Sequence, residues 1–213
     1  MQRSVKRSYS STQRDAQAQA TRHSILAAAL RLFTSHGYVG TTIQAVADEA
    51  GVAVQTVYAV FGNKRELLRL TLEAAVGGGP SAQPVNDQPA PLAIAAEPDP
   101  RRRAAMDAAF ATQISRRVAP IMRVLREAAA ADPTFAATAK RITAQRRADM
   151  KAAAAILAGP EGLRGDVDEM VGTLYVLYSP DVFLALTGDL GWSIKRYERW
   201  LAEMLYRTVI LPR

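Results

Sequence analysis

The chain has 213 residues, enough for one medium domain or two smaller ones sharing a core, and a formal net charge of +7 that favours an anionic partner. It contains no cysteine, which excludes disulfides, thiolate zinc sites and cysteine nucleophiles. The first twenty residues are polar and basic without the apolar stretch of a signal peptide, and no apolar run reads as approaching the roughly 20 residues of a membrane-crossing helix. A cytoplasmic protein without membrane contact is expected.

Residues 1–19, MQRSVKRSYSSTQRDAQAQ, carry almost nothing to bury and read as a disordered arm. Arg3, Lys6, Arg7 and Arg14 suit it to following a DNA backbone or entering a minor groove, although a solvated tail without a role has the same composition. A first helix is predicted from about Ala20 to His36, with Ile25, Ala29, Leu32 and Phe33 on one stripe and Gly37 as its stop. Ile43, Val46 and Ala47 then fall at i, i+3 and i+4 of a short second helix, capped by Thr41 or Thr42. Gly51, free to take a positive φ, makes a tight turn into a third helix over Ala53–Phe61 that carries Val57, Val60 and Phe61 inward. Two short helices around a glycine-centred turn are the unit that places a recognition helix in the DNA major groove.

Asn63 caps a fourth helix through Leu67, Leu68 and Leu72, which Gly77-Gly78-Gly79-Pro80 ends. Residues 77–100 hold most of the prolines and read as a long loop. Their glycines lack the Lys-Ser/Thr pair of a phosphate-binding loop. Further helices are predicted over 101–119, from Pro120 to Asp132, from Pro133 to about Leu157, over 166–186 with a kink near Ser179-Pro180, and from a Ser193 cap to the C-terminus. Nine helices and no strand give an all-α fold.

The run ILAAALRLFTSHGYVGTTIQAVADEAGVAVQTVYAVFGNKRELL resembles the N-terminal domain of the TetR/AcrR family of bacterial transcriptional regulators. The landmarks are Leu32-Phe33, Gly37-Tyr38, Thr41-Thr42, Ala50-Gly51-Val52, Tyr58, Phe61 and Lys64. The run LYVLYSPDVFLALTGDLGWSIKRYERWLAEML resembles the last two helices of many members, with weaker motifs. The resemblance implies a helix-turn-helix DNA-binding domain over 20–66 and an effector-binding and dimerisation domain over 67–213. It also implies phosphate contacts by Thr42, Tyr58 and Lys64. The chemistry agrees, since each is a donor and the start of the fourth helix favours an anion. A cap, a packed ring and an exposed lysine are the plainer roles open to the same three residues.

Base reading falls to the start of the third helix, at Val54, Gln55 and Thr56, with Gln44 beside them. Gln55 can pair with an adenine, while Val54 and the Thr56 methyl suit thymine methyls. The family often has Gly or Pro at the position of Gln55, so that role rests on chemistry alone. An effector pocket is expected among Met106, Phe110, Ile114, Met122, Met150, Tyr175 and Tyr178, for a small hydrophobic or amphipathic ligand; each residue taken singly is as well explained by the core. By resemblance, Met170, Leu174, Tyr197, Trp200, Leu201, Met204 and Leu205 form a dimer interface that offers two recognition helices to a palindromic operator.

Two other functions compete with a homodimeric, ligand-released repressor. An architectural DNA-coating protein would use Arg101-Arg102-Arg103 and Arg146-Arg147, which read more simply as solvated helix faces. A helical enzyme lacks support: His23 and His36 are the two histidines, thirteen apart on the first helix, with no carboxylate cluster for a metal or acid–base site. No cofactor and no metal are expected.

Overall fold

The computed structural model describes residues 5–79, 85, 88–159 and 166–210, with side chains defined from residue 13. These residues form an all-α protein. Its helices are α1 (Val5–Gly40), α2 (Ile43–Ala50), α3 (Val54–Phe61), α4 (Lys64–Gly77), α5 (Pro89–Ala96), α6 (Pro100–Ala131), α7 (Ala136–Ala158), α8 (Val167–Leu177), α9 (Pro180–Leu184) and α10 (Ile194–Leu205). With α8 and α9 taken as one kinked helix the described count is the expected nine, differently divided.

The head is α1 to α4. Apolar residues at helical spacing on each helix turn to one centre: Ile25, Ala29 and Phe33 from α1, Val46 and Ala47 from α2, Val57 and Phe61 from α3, Leu67 and Leu68 from α4. Burying a side chain such as Phe33, which is fully enclosed, contributes about 1.5–3 kcal/mol. The body has a second core of Ala104, Ala108, Leu157, Leu174, Phe183, Leu201 and Leu205, drawn from α6 to α10. The 32 residues of α6 run along both, a length of about 48 Å. Its first half lies in the body core, and Val118, Ile121, Val124, Leu125 and Ala128 of its second half complete the head core.

Four expectations change. The first helix begins at Val5 rather than near Ala20, so residues 5–19 are helical, not disordered; Arg3 lies outside the described residues, as do the side chains of Lys6 and Arg7. The segment holds no Gly or Pro and extends a helix already anchored by the head core, and propagation from a formed nucleus is inexpensive. Pro120 does not start a helix. It sits exposed within α6, where both halves of the helix are held by a core and outweigh the lost hydrogen bond. The proline-rich stretch 77–100 contains α5, whose Pro89 occupies the first turn, the one place in a helix where proline fits. Finally, the 23-residue span Val167–Asp189 contains an 18-residue window of mean hydropathy 1.3, long and apolar enough by composition to cross a membrane, contrary to the sequence reading. The helix is interrupted at Ser179-Pro180, the expected kink, and carries Asp168, Glu169 and Asp181.

Candidate nucleic-acid interface

Local chemistry sets the geometry of α2 and α3. Thr42 is the N-cap of α2, its hydroxyl accepting the Ala45 N–H at 3.0 Å. Thr41 turns the other way and donates to the Gly37 carbonyl at 2.8 Å. Gln44 forms no capping box, because its amide donates to Asp48 at 2.8 Å. Gly51 ends α2 in the left-handed region at φ 68°, as the turn requires, and Ala53 starts α3 without a side-chain cap. The N–H groups of Val54 and Gln55 are thus left to water or a ligand, while that of Thr56 donates to the Ala53 carbonyl at 2.9 Å. Asn63 caps α4 by accepting the Glu66 N–H at 2.9 Å.

These elements frame a concave surface of about 600 Å³ lined by Tyr38, Thr41, Thr42, Ile43, Gln44, Val54, Tyr58, Asn63, Lys64 and Arg65. Five of the seven candidates for DNA contact, Thr42, Gln44, Val54, Tyr58 and Lys64, line it together. Gln55 and Thr56 lie beside it on α3, Gln55 exposed and Thr56 half-buried. Tyr58 is 51% exposed, so its hydroxyl stands free for an incoming acceptor. Lys64 lies with Nζ 4.4 Å from the centre of the Tyr38 ring. Partial burial holds its pKa below the usual lysine value, against the opposing pull of the Glu127 carboxylate. An ammonium held over a ring face at the start of a helix is already partly desolvated, which strengthens its attraction for a phosphate.

The sequence reading missed Tyr38, Thr41, Ile43, Asn63 and Arg65 as members of this surface. Arg65, adjacent to Lys64, was the one visible signal. Tyr38 depends on contacts about ninety residues away. Its N–H and that of Val39 donate to the two Glu127 carboxylate oxygens on α6, each at 2.8 Å. Those two bonds hold the Glu127 carboxyl below the usual glutamate range. The Tyr38 hydroxyl donates to Asp132 at 3.4 Å, and burial, then Asp132, raises its pKa. Arg65 donates to Asp132 at 3.2 Å and to Thr134 at 2.5 Å, and Arg141 of α7 pairs with Glu66 at 2.7 Å. The concave surface is therefore fastened from behind by α6, its C-terminal turn and α7.

The other candidates are dispersed. Met106 and Phe110 line an open groove of about 550 Å³ with Gln88, Ala93 and Ile94 of the α5 side. Ile114 and Met122 pack on the head core, and Met150 and Tyr178 on the body core. The Tyr175 ring lies under the Arg146 guanidinium at 3.9 Å. The seven do not enclose one cavity, because a continuous α6 separates Met106 from Met122 by about 24 Å. Of the proposed dimer residues, Met170, Leu174, Tyr197, Leu201 and Leu205 are buried within their own chain; Trp200 and Met204 keep part of their surface. An amphipathic stripe shows that a face is covered, not which chain covers it. Of the three arginines, Arg101 and Arg102 are exposed as a solvated face requires, but Arg103 is fully buried and donates to the Glu97 carbonyl at 2.8 Å. Arg101 stacks on Tyr206 at 4.0 Å, while Arg102 pairs with Glu97 at 3.5 Å.

A glycine-turned helix pair presented on a head of four helices, with a basic, aromatic-bearing concavity beside its second helix, defines a helix-turn-helix DNA-binding protein with a helical body. Residues 25–71 match the family model described as bacterial regulatory proteins, tetR family. Over 52 residues the chain is 46% identical to the HTH-type transcriptional regulator HbdR of Aromatoleum sp., a match spanning 24% of this chain and 23% of that protein. The whole fold is similar to two crystal structures assigned to TetR-family transcriptional regulators. One, from Rhodococcus sp., has a TM-score of 0.63 at 18% identity over 87% of this chain and 96% of the other. The second, from Mesorhizobium loti, has a TM-score of 0.64 at 20% identity over 89% and 95%. The family match covers the head, residues 25–71, and the likeness of the remaining residues to these structures is one of fold.

Proposed function

We propose that this protein is a homodimeric transcriptional regulator, a repressor released from a palindromic operator by a small apolar or amphipathic effector. The observation that carries this reading is the exposed face of α3, with Gln55 and Tyr58 beside the concavity that gathers Thr42 and Lys64. Thr42, Tyr58 and Lys64 would hold phosphates and set the register of α3. Gln44, Val54, Gln55 and Thr56 would then read base edges. Dimerisation is supported by the apolar surface left open on the α8–α9 side. Only 28% of the 18-residue apolar window within Val167–Asp189 is buried, and Val167, Val176 and Leu190 are about half or more exposed. Those residues, with Trp200 and Met204, replace the buried ones expected from sequence. A twofold pair formed there would present two α3 helices to successive major grooves.

Because α6 supplies part of both cores, it serves as the lever between effector and head alongside α4. An effector that favours one setting of the body would shift the population of head spacings.

Fluorescence anisotropy on DNA fragments flanking the protein's own coding sequence tests the reading. Wild type is expected to bind one fragment at nanomolar level against excess competitor DNA. Gln55→Ala should relax the choice of sequence, and Tyr58→Phe should weaken binding to every fragment. Lys64→Ala should do the same and reduce the salt slope by about one. Equal, salt-sensitive binding to all fragments, unmoved by these changes, would instead support an architectural coating protein.

A further inference from the structure

The body core contains buried polar groups that have few partners among the described residues. On α6, Asp107 and Ser115 lie on one stripe with Ala111 between them, and all three are buried. Asp107 is 6% exposed, and its described partner is the hydroxyl of Tyr178, at the end of α8, which donates to it. Burial is the larger influence on its carboxyl, pushing its pKa up, and the Tyr178 hydroxyl opposes it. Tyr197 of α10 is fully buried, yet its hydroxyl makes no hydrogen bond. The Ser115 hydroxyl stands close enough to draw the Tyr197 pKa down somewhat, against the larger upward push of burial, but not in bonding geometry. Around these groups the rings of Phe183 and Tyr197 meet edge to face at 5.1 Å, and Trp200 lies 5.8 Å from Tyr197.

A buried carboxylate whose described partner is a neutral hydroxyl, and a buried hydroxyl with no described partner, each cost free energy, and a native core tolerates few such groups. Here they occur together, beside the smallest chiral side chain on the stripe and against electron-rich ring faces. A protonated amine would offset both costs: its N–H groups donate to the Asp107 carboxylate and the Tyr197 oxygen, and its charge lies against aromatic rings. We infer that Asp107, Tyr178, Tyr197 and Ser115 form the polar end of an effector site that selects an organic cation, a protonated amine carried on an apolar body. This inference rests on reading the body as effector-binding. The break at Ser179-Pro180 and the π-helical turn over Ala185–Asp189 that follows supply the segment that gives way to admit it.

The test uses the full-length protein without DNA and three isosteric probes: 4-phenylbutylamine, 4-phenylbutanol and 4-phenylbutyrate, titrated by calorimetry. The amine is expected to bind at least tenfold more tightly than the alcohol, and the acid most weakly. Asp107→Asn should remove the preference for the amine while leaving the alcohol bound as before. Tyr197→Phe deletes an unpaired hydroxyl, so it should raise the Tm of the unliganded protein and weaken amine binding several-fold. Binding of none of the probes, an unchanged ranking in Asp107→Asn, or a lowered Tm in Tyr197→Phe would each overturn the inference. The last result would show that a buried water already satisfies the hydroxyl. DNA binding is assayed separately, so failure of the amine site leaves the DNA-binding reading intact, and loss of wild-type DNA binding leaves the amine titration interpretable.

Discussion

Glu127 joins the body to the DNA-facing surface through two backbone N–H groups, at the point where α1 kinks at Gly37. Gly37 has φ 73°, and a Cβ placed there would lie 2.3 Å from the Glu127 Oε2 atom. Gly37→Ala should therefore destabilise the head twice over, through left-handed strain and through displacement of the carboxylate. Glu127→Gln should lower stability at pH 7 by about 1 kcal/mol, discounted for partial solvent access. Because the folded-state pKa of Glu127 is depressed, its contribution is present above the unfolded value near about 4.3 and is lost as pH falls below it. Urea midpoints of wild type and variant should converge towards pH 3. Asp107 behaves oppositely. Burial pushes its pKa from 3.8 to about 6, so the folded state is penalised above pH about 6 and relieved as pH falls towards 4. Asp107→Asn should stabilise the unliganded protein by about 2–3 kcal/mol at pH 8 and by little at pH 4, readable from the same urea curves.

Among the elements, α6 governs the architecture, and it is where the sequence was hardest to read. Pro120 suggests a helix start, and only the two cores on either side show that the helix runs through it. Pro120→Ala restores a backbone donor in an exposed helix interior and should raise stability by about 1–3 kcal/mol, seen as a higher Tm with unchanged DNA affinity. The α2–α3 pair was legible because its signals are local: a Thr42 cap, a Gly51 turn, and apolar residues at i, i+3 and i+4. The membership of Tyr38 in the DNA-facing surface was not legible, since Glu127 and Asp132 reach it from the far end of α6. Arg103 misled for the same reason. A run of three arginines reads as solvated until the fold brings a backbone carbonyl to a buried guanidinium. The partition of Leu201 and Leu205 between core and interface was equally closed to sequence, because helical periodicity marks a covered face and not its cover.

At the scale of the whole molecule, a DNA-binding head, a body core with a buried carboxylate and an open apolar face on α8 and α9 share one chain. A dimer through that face should be disrupted by Val176→Glu, which places a charge where 59% of a valine is now exposed. Sedimentation should show a monomer with an unchanged helical spectrum, and operator affinity should fall by two or more orders of magnitude as the second head is lost. The most direct test of the central claim is a hydroxyl-radical footprint of the wild-type protein on the flanking DNA. The account predicts one site with twofold symmetry, its two protected halves centred about 10 base pairs or a multiple of that apart. Protection spread evenly along the fragment, or confined to a single half-site, would contradict it.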